Sequence, residues 1–452
     1  MRITRRTLLL GAGAGAVSVL LASCTPEPTP GPSPTPTPTR TPNPEGGVPV
    51  PAATVRSAWS SDPFAMGAAS FTPVGVIAGT RAALATPVND RLFFAGEATD
   101  EDEPGTMRGA IRSGERVVDE IRDRADRGDR IAVVGAGLAG ATAAAQLVSA
   151  GMEVTVFEGR DRVGGRVHSV SDDSWPMPVQ LGAWLFGDAD ADLLDRLSGT
   201  DVGIVDLAGA QWLSPEGEID PVSEEPLRTA ITAAQTAPED STLADALTAA
   251  GGDPADPATA ALLSFLATHA GADADQLSSW FPPILAFGEQ KGARDALAPF
   301  VEQALDGVKV GLSSPVAGLA YDDTGVSVRL GTGEALSFDR VVLTVPLGVL
   351  QQRGIDFDPP LPFANRGAIA ALGMGAIETI WLRFDEPFGE SDAALWHTVG
   401  GDALIRTWVN LRPATGENVL VGIVGGAAAE EFAKLDDADA VEAALASLTP
   451  YA

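Results

Sequence analysis

Two short apolar runs, separated by an Ala-rich stretch, give the clearest hydrophobic pattern along the chain. Residues 131–134 and 153–157 have the length and the β-branched content of buried strands. Residues 141–150 are Ala-rich and helix-forming, and Gly151 ends that run. The order strand, turn, helix, strand within about 30 residues predicts a βαβ unit of a parallel sheet.

A glycine-rich turn joins the first strand of this unit to its helix, with the letters GAGLAG from residue 135 to residue 140. Gly135 allows a tight turn, Gly137 lets the backbone approach a pyrophosphate at the helix N-terminus, and Gly140 permits close packing of helix on strand. Glu158 follows the second strand, where a carboxylate can accept hydrogen bonds from ribose hydroxyls. The unit is therefore predicted to bind a nucleotide.

The start of the chain has a different pattern. Arg5 and Arg6 precede an apolar run over residues 8–21, which is typical of a twin-arginine export signal. The letters LASC at residues 21–24 resemble a bacterial lipoprotein cleavage site, at which Cys24 would be acylated. The alternative is an uncleaved membrane anchor, for which this Gly- and Ala-rich run is short and weakly apolar.

Residues 25–51 are rich in Pro and Thr, so we expect an extended spacer between the membrane and the folded body. The rest of the sequence has no other run with the pattern of a transmembrane helix. These features predict an exported protein, attached by a lipid on Cys24 to the cell membrane of a bacterium and facing the extracytoplasmic side.

Composition excludes several classes of protein. The chain has 452 residues, of which 45% are hydrophobic and 20% charged, as expected for two or three globular domains. Its 61 acidic and 30 basic residues give a formal charge of −31, which argues against nucleic-acid binding and favours cationic small molecules. The one cysteine, Cys24, argues against a disulfide scaffold, a cysteine-rich zinc site or a cysteine nucleophile, and we expect no metal.

A second motif, RDRVGGR at residues 160–166, comes shortly after Glu158. Together with the glycine-rich turn and the letters QLGAWLFG at residues 180–187, it resembles the flavin-containing amine oxidase family, which includes monoamine oxidases, polyamine oxidases and histone-lysine demethylases. The resemblance implies FAD as the cofactor. By their places in the family's motifs, the residues expected to hold FAD are Gly135, Gly137, Leu138, Ala139, Gly140, Glu158, Arg160, Gly164, Gly165, Arg166, Gly182, Ala183, Trp184, Val316, Gly96, Glu97, Thr106 and Met107.

The segments that resemble the family stand in a different order here. The letters WSSDP at residues 59–63, FFAGEAT at residues 93–99 and PGTMRGA at residues 104–110 resemble the family's C-terminal FAD segment, yet they precede the glycine-rich turn. The chain therefore resembles a circular permutant, with residues 122–129 as the new linker. The alternative is a fusion of two gene fragments.

The resemblance implies an α/β fold with a Rossmann-like FAD-binding domain and an α+β substrate domain, circularly permuted. In chain order, the expected parts are an export signal (1–24), a linker (25–51), the FAD-binding domain (52–190, with the permuted segment 52–125 and the Rossmann unit 129–190), a helical part of the substrate domain (191–290), further strands of the FAD domain (291–345) and the sheet and helix of the substrate domain (346–448). The helical part carries no recognisable chemistry. Trp280, Phe281, Trp396 and His397 are expected to pack in the core rather than line a pocket.

The activity implied by the resemblance is oxidation of an amine (a monoamine, a polyamine or an amino acid) to an imine and then an aldehyde, with O₂ reduced to H₂O₂. Phe71 and Thr106 match the two positions of the family's aromatic cage beside the flavin. Some members attach FAD through a cysteine just before the first cage residue. Ser70 stands there in this chain, so we expect non-covalent FAD.

One departure from the family concerns a lysine that most members use to hold a water against the flavin. It follows an LGxG turn, here residues 372–375, and the matching residue is Thr379. Thr379, Phe71 and Thr106 are therefore the expected catalytic positions. Two alternatives stay open: an enzyme of the same fold that acts on a non-amine, and an exported flavin-binding lipoprotein with little turnover. The oligomeric state is also open.

Overall fold

The computed structural model describes residues 47–389 and 391–452. Its strands are β1 (Ala53–Arg56), β2 (Ala69–Phe71), β3 (Leu92–Phe94), β4 (Arg130–Val134), β5 (Glu153–Phe157), β6 (Ser169–Val170), β7 (Val179–Gln180), β8 (Leu185–Phe186), β9 (Ile204–Leu207), β10 (Ala210–Ser214), β11 (Gly217–Ile219), β12 (Gln290–Ala293), β13 (Lys309–Gly311), β14 (Val316–Tyr321), β15 (Val326–Leu330), β16 (Ala335–Phe338), β17 (Arg340–Leu343), β18 (Asp356–Asp358), β19 (Gly373–Gly375), β20 (Ile377–Arg383), β21 (Leu395–Thr398), β22 (Thr407–Asn410) and β23 (Val419–Gly425).

Its helices are α1 (Thr80–Ala85), α2 (Met107–Arg122), α3 (Leu138–Ser149), α4 (Ala191–Leu197), α5 (Glu225–Ala234), α6 (Leu243–Ala249), α7 (Pro257–Ala270), α8 (Ala298–Ala304), α9 (Leu347–Gln351), α10 (Phe363–Ala371), α11 (Arg412–Thr415), α12 (Gly426–Phe432) and α13 (Asp437–Leu448). None of these helices is both long and apolar enough to cross a bilayer. The export signal, Cys24 and the linker up to residue 46 lie outside the described residues.

A five-stranded parallel sheet, in the order β13-β5-β4-β17-β3, carries the glycine-rich turn. After an initial arginine, the sequences of β4 and β17 are continuous apolar runs, because helices or other layers cover both faces of a parallel sheet. Strand β3 precedes the βαβ unit in the chain but pairs with β17, with Phe94 opposite Leu343. The segment before the βαβ unit therefore completes the same sheet.

A seven-stranded sheet, in the order β1-β20-β23-β22-β21-β10-β11, forms the second large layer. Its neighbours are antiparallel except β10 and β21, which are parallel. Strand β1 lies within residues 52–125, which we assigned wholly to the FAD domain. That assignment was wrong for residues 53–56, because their backbone pairs with β20, with Ala53 opposite Arg383.

Residues 191–290 are less helical than their composition predicts. Helices α4 to α7 form there, but so do strands β9, β10 and β11. Tertiary pairing produces these strands: β9 pairs with β12, and β10 pairs with β21. Partners this distant in the chain override a local preference for helix.

The two ends of the described chain lie side by side. Val48 is buried in the same apolar cluster as Leu448 and Tyr451, and a Cβ atom placed on Gly47 would lie 3.9 Å from the Cβ of Ala452. At the other junction, α2 ends at Arg122 and β4 begins at Arg130. Only a short connection therefore separates the segment 52–122 from the βαβ unit.

Candidate active site

A cavity of about 280 Å³ opens at the carboxyl ends of β4, β5, β17 and β3. This edge of a parallel sheet is where α/β proteins bind nucleotides. Most of the residues expected to hold FAD line this cavity: Gly96, Glu97, Thr106, Met107, Gly135, Gly137, Leu138, Ala139, Glu158, Arg160, Gly164, Gly165, Arg166, Ala183 and Val316.

The glycine-rich turn forms a cradle that a side chain would fill. Gly135 has a φ of +109°, which favours glycine. A Cβ atom on Gly137 would have no protein atom nearer than 3.9 Å and would extend into the open space. Gly137 is also the N-cap of the twelve-residue helix α3, whose first N–H groups face the cavity and suit a diphosphate. The residues present therefore fit the diphosphate of FAD.

Gly140 lies behind this cradle and not in its wall. A Cβ atom there would lie 2.0 Å from the carbonyl oxygen of Gly135. Its place in the motif is thus explained by the close packing of helix on strand, and it does not line the cavity as the other residues of the turn do. Gly182 and Trp184 lie apart from the nucleotide cavity too, in the wall of a second cavity described below.

Glu158 holds the turn together. Its carboxylate accepts hydrogen bonds from the backbone N–H groups of Ala136 and Arg160, each at 2.9 Å. Arg160 in turn pairs with Asp62, with a distance of 2.7 Å between nitrogen and oxygen. Glu158 is 4% exposed and remains part of the cavity wall, so its oxygens can serve both the turn and a ribose hydroxyl.

Glu97 and Arg166 form a buried ion pair, with Nη1 and Oε1 2.9 Å apart. The Glu97 carboxylate also accepts from the Ser70 hydroxyl at 2.6 Å and from the Gly105 N–H at 2.8 Å. Burial alone would raise the pKa of Glu97, but Arg166, Ser70 and Arg81 outweigh it and hold that pKa below its ordinary value. The carboxylate is therefore ionised and fixes Arg166 at the cavity wall.

A second cavity, of about 380 Å³, adjoins the first. The residues that line both are Ala68, Gly105, Thr106, Met107, Arg166 and Ala183. Phe71, Thr106 and Thr379 all line the second cavity, which brings together the three residues expected to be catalytic. The six residues that line both cavities are called the shared wall. A group bound across this wall would face Phe71 and Thr379.

Thr106 is the N-cap of the sixteen-residue helix α2. Its hydroxyl accepts from the Gly109 N–H at 2.9 Å and donates to the Glu103 carbonyl at 2.8 Å. Because both functions of the hydroxyl are used, Thr106 contributes chiefly by starting α2 at the shared wall. The positive end of the helix dipole there favours negative charge on a bound group.

Thr379 lies on β20, 7% exposed. Its hydroxyl oxygen is buried and has no hydrogen-bond partner among the described residues. A polar atom left in this way is costly unless a ligand or water completes it. Its neighbour Glu378 points to the opposite face of the strand and binds Ser57 and Ser60 instead.

Sequence reasoning missed several residues of the second cavity. His269, at the end of α7, lies in its wall, although the sequence around it carries no recognisable catalytic motif. Three acidic residues also line it, namely Asp188, Asp190 and Glu289. Of the four aromatic and histidine residues expected in the core, Phe281 lines the cavity, whereas Trp280, Trp396 and His397 do not. The position of His269 depends on how α7 packs, which the local sequence does not specify.

The two adjoining cavities, one built for a dinucleotide and one largely apolar, define an FAD-dependent oxidoreductase. Comparison with known families agrees with this class. The model of flavin containing amine oxidoreductases matches residues 45–122 and 230–451, and that of the NAD(P)-binding Rossmann-like domain matches residues 133–197. The chain belongs to the flavin containing amine oxidoreductases, which confirms the predicted α/β fold with a Rossmann-like domain, the enzyme class and the FAD cofactor.

Individual relatives point the same way. Polyamine oxidase 4 of Oryza sativa subsp. japonica is 29% identical over 375 residues, covering 75% of this chain and 76% of the relative. Lysine-specific histone demethylase 2 of Homo sapiens is 28% identical over 359 residues, covering 70% of this chain and 43% of the relative. The solved structure of a wild-type putrescine oxidase bound to putrescine has a TM-score of 0.59 at 19% identity, covering 72% of this chain and 81% of that one. At this identity the likeness is one of fold.

Proposed function

We propose that the protein oxidises an aliphatic amine that carries a second cationic group, as a diamine or polyamine does. The observation that carries this proposal is the second cavity, which combines apolar residues, Phe71, Ile377 and Ile423, with the carboxylates of Asp188 and Glu289. An apolar wall suits the alkyl chain and the neutral amine that reacts, while exposed carboxylates attract a distant ammonium group. The names of the polyamine oxidase and putrescine oxidase relatives support the same substrate class.

The net reaction converts the amine and O₂ into an imine and H₂O₂. When bound, FAD supplies the acceptor for a hydride equivalent from the carbon next to the amine nitrogen. The protein's part is to hold and orient. The N-terminus of α3 and the turn at Gly137 would hold the diphosphate, and Arg166 and the N-terminus of α2 would stabilise negative charge at the shared wall.

The test is a panel of amines with peroxide as the readout. Putrescine and spermidine should be oxidised, and n-butylamine, which has the carbon chain of putrescine without its second amine, should have a KM at least about tenfold higher. The variants Asp188→Asn and Glu289→Gln should raise the KM for putrescine while leaving the KM for n-butylamine unchanged. A purified protein that contains FAD, makes no peroxide with any amine and is reduced only by dithionite would overturn the proposal.

Replacement of the family's lysine by Thr379 favours a second candidate, a flavin-binding lipoprotein with little turnover. A related possibility is an enzyme of the same fold that acts on a non-amine. In the panel, a flavin-binding lipoprotein with little turnover would contain flavin that no organic substrate reduces. An enzyme that acts on a non-amine would contain flavin that amines leave oxidised and that a substrate of another chemical class reduces.

We further propose that the chain is a circular permutant of this family. The family model matches two separated ranges, with the Rossmann match between them. The proximity of Gly47 to Ala452 supports the proposal, since joining them would need little change in the fold. A rearranged chain that starts at residue 129 and connects residue 452 to residue 47 should fold and bind FAD. Failure of that chain to bind FAD would favour a fusion of fragments instead.

We also propose that the protein is exported and held at the extracytoplasmic side of a bacterial membrane by a lipid on Cys24. The support is the twin-arginine pair, the LASC sequence and the Pro- and Thr-rich spacer. A Cys24→Ala variant should leave the membrane fraction, whereas Ser23→Ala should stay there as a matched control. Membrane attachment of both variants would mean that the apolar run itself is the anchor.

A further inference from the structure

A row of cross-strand neighbours on the seven-stranded sheet lies beneath helix α7. The row consists of Thr379, Ile423, Thr407, His397 and Trp212. Directly paired residues project to the same face of a sheet, so these side chains share one face. Two polar atoms in the row, Thr379 Oγ1 and His397 Nδ1, are buried with no hydrogen-bond partner among the described residues.

Helix α7 packs on this same face. Gly425 is opposite Ile377, two residues from Thr379, and a Cβ atom on Gly425 would lie 2.0 Å from the carbonyl oxygen of Ala267 on α7. The Ala376 N–H donates to the Gly271 carbonyl at 2.8 Å, just past the end of the helix. The last turn of α7, which carries His269, therefore lies directly on the strand face that carries Thr379.

The His269 ring is fixed in one tautomer by its own helix. Its Nδ1 lies 3.1 Å from both the Phe265 carbonyl and the Thr268 hydroxyl oxygen. The Thr268 proton is already donated to the Phe265 carbonyl at 2.7 Å, so both oxygens accept. Nδ1 must then carry the hydrogen, which leaves Nε2 with a lone pair.

His269 Nε2 is itself buried with no partner among the described residues, although the residue lines the second cavity. Burial lowers the pKa of His269, and the Phe265 carbonyl opposes this in part, so the ring is neutral near pH 7. His397, across the Phe265 ring, is the titratable group that faces it. A neutral ring with a free lone pair is a hydrogen-bond acceptor in need of a donor.

We propose that His269 Nε2 is the acceptor for the N–H of the amine in the second cavity and so orients the amine nitrogen beside Thr379. This inference rests on the proposed function. The amine binds in its neutral form, having released its proton to solvent, and one N–H then donates to Nε2 while the nitrogen lone pair stays available. His269 is thus a residue that contacts the substrate, and it does so from α7, away from the strand position at which the family has its lysine.

The first test reads the ring directly. The chain has three histidines, so ¹⁵N-histidine labelling gives signals from three rings. The ring signals that disappear in His269→Asn are those of His269. In the FAD-bound protein, His269 should be in the Nδ1–H tautomer, and tert-butylamine should shift its Nε2 resonance. This amine has no hydrogen on the carbon next to nitrogen and cannot be oxidised. Tetramethylammonium, which has no N–H, should leave Nε2 unchanged. Equal shifts with both, or an Nε2–H tautomer, would overturn the proposal.

The second test uses stopped-flow reduction by putrescine. His269→Asn keeps a donor near the Phe265 carbonyl but removes the acceptor at Nε2, so the limiting rate should fall about 10- to 100-fold with FAD content unchanged. His269→Gln, which carries an amide near Nε2, should recover part of the rate. A wild-type rate in His269→Asn would overturn the proposal. If no amine reduces the wild type yet tert-butylamine still shifts Nε2, the oxidase proposal fails while the amine-binding role stands.

Discussion

The Ser57 hydroxyl lies between two consecutive residues of β20: it donates to the Glu378 carboxylate at 2.5 Å and accepts from the Thr379 N–H at 2.8 Å. The same carboxylate accepts from the N–H and the hydroxyl of Ser60, at 2.9 and 2.8 Å, and from the Trp59 N–H at 3.1 Å. Glu378 is fully buried. It therefore ties residues 57–60 to the strand that carries Thr379 and faces away from the cavity.

Glu378→Gln should destabilise the protein by about 2–4 kcal/mol, because an amide that donates on one side would face Ser and backbone donors in a buried site. Ser60→Ala removes one of the four donors and should cost about 1 kcal/mol. Urea unfolding of both variants at pH 7.5 measures the difference. Equal midpoints for the two variants would show that the network around the carboxylate is not what holds this segment.

Gly137→Val should abolish most FAD binding without unfolding the protein. A side chain at this position meets open cavity rather than protein, and the backbone there is extended, which valine adopts readily. Flavin content should fall at least about tenfold, while the unfolding free energy of the FAD-free protein changes by less than about 1 kcal/mol.

The matched control for this variant is Gly367→Val, on the exposed side of α10, where a Cβ atom would meet nothing within 4 Å. It should retain its flavin. In every variant that binds FAD, acid precipitation should release all flavin into the supernatant, because Ser70 stands where a covalent link would need cysteine. Normal flavin content in Gly137→Val would contradict the assignment of the cradle.

The features that local sequence predicted are those with a short-range cause. The glycine-rich turn is specified by residues 135–140 alone, and the LGxG turn with strand alternation places Thr379 on the cavity face and Glu378 on the other. By contrast, β1 pairs with a strand more than 300 residues away, and His269 enters the site only because Gly425 lets α7 pack closely. Contacts of that range leave no local pattern.

His397 should make the protein acid-sensitive. Burial, and then the charge of His269, lowers the pKa of His397 to about 3 from an ordinary value of 6.5. Between these values the unfolded chain binds a proton that the folded chain does not, so stability is lost as pH falls below about 6.5, by up to roughly 1.4 kcal/mol per pH unit. His397→Phe preserves an aromatic ring beside Trp212 and removes the group whose protonation causes this loss of stability.

The measurement is the unfolding free energy at pH 7.5 and at pH 5.0 for wild type and His397→Phe. The wild type should lose about 2 kcal/mol more than the variant over that interval. His269 is also buried with a lowered pKa, so part of the acid sensitivity should remain in the variant. Identical losses in the two proteins would mean that His397 is protonated as readily in the folded chain as in the unfolded one.

Thr379→Lys should raise the rate at which amines reduce the flavin. Thr379 lines the second cavity and its hydroxyl has no partner among the described residues. By the resemblance of the LGxG turn at residues 372–375, it is expected to match the lysine position of the family. Glu378 lies on the opposite face, so it would not neutralise the new charge. A positioned water-holding or proton-handling group is typically worth about 10²–10⁴-fold in rate, and the wild type should accordingly be reduced slowly even when FAD is fully bound.

Thr379→Met is the matched control, because it adds a chain of similar girth without the charge. Stopped-flow reduction of the three proteins by the same amine compares them, with flavin content measured in each. If only the lysine variant is faster, by at least about tenfold, position 379 faces the reacting amine and lacks a cationic group. If lysine and methionine slow reduction alike while FAD stays bound, then crowding dominates, and the wild-type site works through its own groups, with His269 first among them.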